Sequence, residues 1–382
     1  MTRRTATAQI VGVHEEPLDV GGRPCPEVAV AAVAGALRDA GLPLSDVDGL
    51  FAAYSWEEPS IMFASEVANS LGIEPRHVDT VCFGGASPAM MVSRAARAIA
   101  AGSCEVAVLV AASNRASGMG RDAAVAALRD VLSAEFEVPY GAFVPPVYAL
   151  AATRFMYETG TTARQLAAVA VTQREHARLH PGAARQSTLT VEDVLASPTI
   201  ASPLRRDDCC LVTDFGAAVV MTSPDRVPAG ARPVAVLGSG ESHNRLSTTA
   251  VPDLTRRGAA KSARIAMDES GLGPDDIDLL QLYDSFTITV LMTLEDMGIS
   301  PRGEAGLQAE RGDFRLGGRL PLNTNGGMLS YRTGGFGHVI EAVHQLRGSA
   351  SGGVAEGART ALAHGIGGVM SSHCTLVLGG DP

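Results

Sequence analysis

The 382 residues carry 46% hydrophobic and 19% charged side chains, the balance of a compact chain with one large domain or two fused ones. A formal net charge of −10 with no long basic block argues against nucleic acid as the main ligand. No apolar run approaches the roughly 20 residues needed to span a bilayer. Met1-Thr2-Arg3-Arg4-Thr5 leads directly into a strand-like run, so no signal peptide is expected. The six cysteines, at 25, 82, 104, 209, 210 and 374, show neither a CxxC pair nor a metal-ligand rhythm. Reduced thiols and a cytoplasmic location are therefore expected.

Strand-like and helix-like segments alternate along the whole chain, the pattern of an α/β layered fold. Ala8 to Val13 reads as a strand, Glu27 to Ala40 as a helix, Val47 to Tyr54 as a strand and Ile61 to Leu71 as a helix. Val81-Cys82-Phe83-Gly84-Gly85-Ala86-Ser87-Pro88 is a tight turn feeding a small-residue helix over Ala89 to Ala101, then the apolar strand Glu105 to Val110. Residues 115–145, with Gly118, Gly120, Pro139, Gly141, Pro145 and Pro146, read as an insertion able to cover a pocket. Helices follow over 147–159 and 163–179, and Cys209 to Thr222 reads as an apolar strand in which Cys209 and Cys210 are core packing. Arg205-Arg206-Asp207-Asp208 reads as a solvated loop.

After the connector Pro224 to Pro233 the pattern begins again. Val234 to Gly238 is a strand, Leu254 to Ser270 a helix, Ile277 to Leu282 a strand and Phe286 to Met297 a helix. A Gly-rich turn, a helix over Val339 to Leu346 and a closing strand Cys374 to Leu378 complete it. Similar length and alternation in the two halves predict an internal duplication, divided as 1–230 and 231–382.

Four loops carry chemistry-bearing residue types: Gly84-Gly85-Ala86-Ser87; Leu282-Tyr283-Asp284-Ser285-Phe286-Thr287; Asn323-Thr324-Asn325-Gly326-Gly327-Met328-Leu329-Ser330-Tyr331-Arg332-Thr333-Gly334; and His364-Gly365-Ile366-Gly367-Gly368. In this order and spacing they resemble the four active-site loops of the thiolases. The resemblance implies duplicated βαβ-rich halves in a five-layer α-β-α-β-α sandwich. Aligned on those loops, Gly85 stands at the nucleophilic cysteine, Tyr283 at the His or Asn of the second loop, Thr333 at the histidine of the third and Gly365 at the acid/base cysteine of the fourth. Thiolysis needs a thiolate to hold the acyl group and a second acid/base to form a carbanion, and neither remains at these positions.

The cysteine-less pattern is similar to the steroid side-chain-cleaving aldolases of the superfamily, which carry a Tyr-Asp-x-Phe-Thr loop. That resemblance implies a lyase: retro-aldol cleavage of a β-hydroxyacyl-CoA to a shorter acyl-CoA plus a ketone or aldehyde. Tyr283 and Asp284 are the leading catalytic candidates, with Tyr331 or His338 as the second acid/base. Gly85, Ser87, Asn325, Gly326, Gly327, Thr333 and Gly365 are expected to bind substrate, with backbone N–H groups near Gly85 and in the Gly326-Gly327 turn facing the enolate oxygen. Replacing cysteine by Gly85 is expected to leave room for a branched acyl group. Ser87 is expected to cap the following helix. Cys82 is expected in the core, and His364 or His373 could reach the pocket.

The resemblance further implies a homodimer that works with a small zinc-ribbon/OB-fold (DUF35) protein. No cofactor is expected in this chain, and any zinc belongs to the partner. Two other functions stay open: an acyl-CoA C-acyltransferase of altered mechanism, with Cys82 as its candidate nucleophile, and a non-catalytic acyl-CoA or sterol carrier.

Overall fold

The computed structural model describes residues 8–119, 122–123, 126, 132–140 and 143–380. Parts of the expected 115–145 insertion therefore lie outside the described residues. The chain builds β1 (Gln9–Glu15), α1 (Cys25–Ala40), β2 (Gly49–Ala53), α2 (Phe63–Leu71), β3 (His77–Val81), α3 (Ser87–Ala100) and β4 (Val106–Ser113). A helical excursion follows, with α4 (Val144–Thr159), α5 (Ala163–Leu179), α6 (Val191–Ala196) and the small hairpin β5 (Thr199–Ala201) and β6 (Leu204–Arg205), before β7 (Phe215–Thr222). The remainder is β8 (Val234–His243), α7 (Ala259–Ser270), β9 (Leu279–Leu282), α8 (Thr287–Asp296), α9 (Ala305–Arg311), α10 (Gly327–Ser330), α11 (Gly337–Leu346), β10 (Thr360–Gly367) and β11 (Ser372–Gly379).

Nine strands form one mixed sheet in the order β3-β2-β4-β7-β1-β8-β11-β10-β9. Its two halves join at the Gln9–Ala235 and Ile10–Val234 pairs. The order β2-β4-β7-β1 recurs as β9-β10-β11-β8. Where the first half has β3, the second has a single parallel bridge from Leu280 to Leu322.

Strand periodicity sorts the core into layers. On β4, Val106, Val108, Val110 and Ala112 pack against α1 and α2, while Ala107, Leu109 and Ala111 face a central cluster with α3 and α11. On the other half-sheet, Ala361, Ala363, Leu376 and Leu378 join that central cluster, and Leu362, Ile366 and Val377 face α7 and α8. The outcome is the expected five-layer α-β-α-β-α sandwich of the thiolase fold.

Both halves seat their first helix on strand glycines at backbone distance. A Cβ on Gly12 would lie 2.2 Å from the Ala36 carbonyl oxygen of α1, and one on Gly238 would lie 2.1 Å from the Ala266 oxygen of α7. Element starts depart from expectation where local chemistry intervenes. The expected strand over Cys209 to Thr222 begins only at Phe215, because Cys210 N donates to Ser285 O and Leu211 N to Met328 O outside the sheet. The helix expected from Leu254 begins at Ala259, after Gly258 at φ 144°. The fourth glycine loop is mostly strand, since β10 runs through Gly367.

The close approach of α7 to β8 predicts that Gly238→Ala lowers the unfolding free energy by about 2 kcal/mol, as overpacking against main chain does. Chemical denaturation with an unchanged m-value is the check.

Candidate active site

A cavity of about 670 Å³ opens where the turn after β3, the loop after β9 and the segment preceding α11 converge. Gly84, Gly85 and Ser87 line it from the first, Tyr283, Ser285 and Phe286 from the second, and Thr333, Gly334, Gly335 and His338 from the third. Gly368 represents the fourth loop.

The space left by a missing nucleophile is filled from within the protein. A Cβ on Gly85 would lie 2.1 Å from Tyr283 Cε2 and 2.7 Å from the Ile366 carbonyl oxygen. The expectation that Gly85 leaves room for a branched acyl group is corrected here: the Tyr283 ring occupies that room. Tyr283 is fixed at its main chain by donation from its N–H to His364 O at 2.9 Å. Burial, then the neighbouring Tyr148 and Cys210, push its hydroxyl well above the usual tyrosine value of 10.0, against a smaller downward pull from Arg115. At neutral pH it is a protonated phenol facing the cavity.

Asp284 points away from the cavity and is fully buried. Its Oδ1 accepts from Met328 N at 2.9 Å and contacts His338 Nε2 at 3.0 Å, while its Oδ2 accepts from Leu329 N at 3.2 Å. The carboxylate thus caps the start of α10 and orients His338, whose ring lies 6.5 Å from that of Tyr283 between centroids. Because the carboxylate only accepts, a neutral imidazole in this position carries its proton on Nε2 and leaves Nδ1 as the acceptor.

Several expected site residues are held elsewhere. Tyr331 does not line the large cavity: its hydroxyl donates to Glu15 Oε2 at 2.6 Å, and its ring packs on His180 at 4.6 Å. Asn325 Oδ1 accepts from Gly327 N at 2.9 Å, and Gly326 N donates to Asn323 O at 2.8 Å. The N–H groups of Gly326 and Gly327 are therefore spent inside their own turn and do not serve an enolate. Gly326 adopts φ 102° against α5, where a Cβ would lie 2.5 Å from Ala177 Cβ. Gly365 lies under the first turn, with an added Cβ 3.0 Å from Gly85 O.

Ser87 lines the cavity as the first residue of α3, and its Oγ accepts from Phe83 N at 2.8 Å. It ties down the turn rather than capping the helix. Thr333 also lines the cavity, but its hydroxyl donates to Leu211 O at 2.5 Å.

Sequence reasoning missed other cavity residues. Tyr148 on α4 is buried, stacks on Phe286 at 4.5 Å and has its hydroxyl pushed up to about 12, mainly by burial. Cys210 is part of the cavity wall, not of a strand core. Cys82 is likewise exposed to the cavity, since β3 ends at Val81 and the chain turns outward. Its thiol is raised, not activated, because burial outweighs a hydrogen bond from Trp56. His364 and His373 are buried in β10 and β11, linked to each other at 3.2 Å and to Thr375 and the Met370 carbonyl, outside the cavity lining. In the Arg205–Asp208 loop both carboxylates are buried, and Arg206 joins the cavity rim. Only the tandem arginines near paired aspartates offered a sequence signal for that rim. Among the described residues, no group of three or more His, Cys, Asp or Glu could hold a metal.

Comparison with known proteins gives these features a context. A family described as thiolase C-terminal domain-like matches residues 240–380. The chain is 36% identical over 350 residues to a steroid side-chain-cleaving aldolase of Thermomonospora curvata, covering 86% of this chain and 87% of that one. It is 31% identical over 375 residues to an acetyl-CoA acetyltransferase of Methanothermobacter thermautotrophicus, covering 94% and 96%. The solved structure of an Ltp2-ChsH2(DUF35) aldolase superposes with a TM-score of 0.87 at 32% identity, covering 98% of both chains.

Two outcomes test the geometry. Gly85→Ala is expected to destabilise the fold by about 2 kcal/mol through the Tyr283 ring. Tyr283→Ala should remove the ring's part of that penalty and leave the part from the Ile366 carbonyl, a coupling that a double-mutant cycle by denaturation measures. The second concerns alkali. Tyr148, Tyr283 and Tyr331 all have raised values in the folded state. Their neutral form is favoured by folding, so this contribution is fully present below pH 10 and is lost as pH rises beyond it. A titration followed by tyrosinate absorbance should show these three ionising only together with unfolding.

Proposed function

The chain belongs to the thiolase superfamily, and we propose that it is an aldolase of that fold, cleaving a β-hydroxyacyl-CoA to a shorter acyl-CoA and a ketone or aldehyde. The observation that carries this reading is the Tyr283 phenol packed where a Cβ at position 85 would be. An acyl-enzyme has no attachment point there, whereas a neutral acid beside a histidine base suits a retro-aldol step.

The chemistry divides between His338 and Tyr283. His338 Nδ1 accepts the β-hydroxyl proton as the Cα–Cβ bond breaks and the Cβ–O bond becomes a carbonyl. The electron pair passes to the thioester as an enolate, which the N–H groups of the Gly84-Gly85 turn stabilise. Tyr283 then donates its proton to Cα, and the imidazolium returns one to the phenolate, so protons balance over the cycle. Asp284 is a positioning residue that keeps Nε2 protonated. Arg185 and Arg206 share a single carboxylate, Asp207, at 3.2 and 2.9 Å, which leaves net positive charge at the rim for CoA phosphates.

In this reading the N-terminal half, 1–230, and the C-terminal half, 231–382, each contribute one side of the cavity. The chain acts in lipid or steroid metabolism in the cytoplasm, as a homodimer joined by a zinc-ribbon/OB-fold (DUF35) protein that carries any zinc. The similarity to an Ltp2-ChsH2(DUF35) aldolase supports that assembly. Among the described residues, no helix is long and apolar enough to cross a membrane.

A second reading, an acyltransferase of altered mechanism, draws on the exposure of Cys82 to the cavity. Mass spectrometry of CoA products separates the two, using the chain alone and with the partner protein. The expected result from β-hydroxyacyl-CoA substrates is a shorter acyl-CoA plus a carbonyl compound without added CoA. Tyr283→Phe should lose at least ~100-fold in kcat while staying folded. Cleavage of β-ketoacyl-CoA only with added CoA, accompanied by an acyl adduct on Cys82, would establish thiolysis instead.

A further inference from the structure

Besides Tyr283 and His338, the cavity wall contains a polar group to which the reaction above assigns no part. Trp56, Glu57 and Arg115 line it from the segments that follow β2 and β4. Arg115 Nε donates to Glu57 Oε1 at 2.7 Å, and its Cζ stands 5.7 Å from the Trp56 ring centroid. The Glu57 side chain is only 3% exposed, so the guanidinium is anchored from behind. Glu57 is held below the usual carboxylate range although burial works the other way, because the Arg115 charge and several hydrogen bonds outweigh it. The next residues are fixed too: Ala116 N and Ser117 N both donate to the buried Asp214 Oδ1, at 2.7 and 3.0 Å. The two Nη groups have no hydrogen-bond partner among the described residues, and the Arg115 side chain is 25% exposed.

We infer that Trp56, Glu57 and Arg115 form an acyl-end subsite for a neutral oxygen acceptor, a ketone or hydroxyl carried by the acyl group away from its thioester. This inference rests on the CoA-thioester reading above. Charge decides which end of the substrate lies here. Two arginines share one aspartate at the Arg185–Arg206 rim, which suits phosphates, whereas Arg115 is already neutralised by Glu57. A carboxylate brought to Arg115 would leave the trio with an uncompensated negative charge in a confined space. A neutral oxygen meets the unspent Nη–H donors without adding charge.

Specificity follows from water. The Arg115 side chain is exposed enough for water to reach it when no acyl group fills the cavity. An acyl body that fills the cavity expels that water, and a plain hydrocarbon then strands donors with no acceptor. A site of this kind discriminates against the analogue lacking the oxygen more strongly than an apolar pocket discriminates a methylene.

The test uses 3-hydroxyacyl-CoA probes of 8, 10 and 12 carbons in three forms: unsubstituted, with a ketone at the penultimate carbon, and with a terminal carboxylate. Affinity is measured by calorimetry on Tyr283→Phe, which removes turnover, and kcat/KM is measured on the native enzyme. The expected result is at least tenfold tighter binding of the ketone than of the unsubstituted probe at one length or more, with the carboxylate no better than the ketone. Arg115→Met should abolish that preference, chiefly by tightening the unsubstituted probe, because the donors that it would strand are gone. Glu57→Gln/Arg115→Met, which leaves no lone carboxylate, should behave the same way if the single variant is unstable. Equal affinities at every length, a preference for the carboxylate, or a ketone preference that survives Arg115→Met overturns the inference. Ketone-selective binding without cleavage by the native enzyme overturns the aldolase reading and leaves the subsite standing.

Discussion

A side chain at position 85 and a phenol at position 283 compete for the same volume, and the rest of the site follows from how that competition is resolved. With glycine at 85 the tyrosine ring lies against the turn, where a Cβ would come within 2.1 Å of it. The Ile366 carbonyl closes the other side at 2.7 Å, so neither group has an easy retreat. The Tyr283 ring therefore fits against the turn because position 85 carries no side chain. A cysteine cannot be reinstated at 85 without displacing the group that now lines the cavity.

Asp284 is the second constraint, and it acts on geometry rather than on substrate. One buried carboxylate receives two N–H groups at the start of α10 and one from His338. Charge-assisted bonds of this kind are short and directional, and a helix N-terminus favours the negative charge. Gly327 adopts φ 58° beside it, where a Cβ would meet Asp284 Oδ2 at 2.2 Å, so the glycine of the turn is required by the carboxylate. The end of β9, the start of α10 and the histidine of α11 become one rigid unit.

What was legible in the sequence was what leaves a local mark. The glycine turns, the continuous apolar runs of β4 and β7 and the Tyr-Asp pair after β9 could be read because close backbone approach and burial of both strand faces constrain residue type directly. The displacement of Tyr331 could not be read, because it is caused by Glu15, 316 positions away on β1. The same holds for Cys82, whose exposure depends on where β3 stops, and for Cys210, which leaves the sheet to bond the Ser285 loop. Tyr148 and Arg115 sit in segments with no motif of their own, and only the fold brings them to the cavity. His338 was legible as one of two candidates for the second acid/base, but not its orientation, which is set by Asp284, 54 positions earlier.

The repeated strand order also separates what the two halves do. The turn after β3 and the turn after Leu322 occupy equivalent places beside β2 and β9, and in the proposed reading the second half supplies the proton-transferring groups Tyr283 and His338 together with Asp284, which positions the histidine. The first half supplies the turn at Gly85 that admits the Tyr283 ring, and the wall containing Trp56, Glu57 and Arg115. In that reading, reaction and acyl recognition rest on different elements joined by a common sheet. By the same reading, substitutions around Arg115 alter which acyl group is accepted and also reach the Tyr283 hydroxyl, which feels the Arg115 charge. Substitutions at 85 act on Tyr283 more directly, because its ring lies where their Cβ would be.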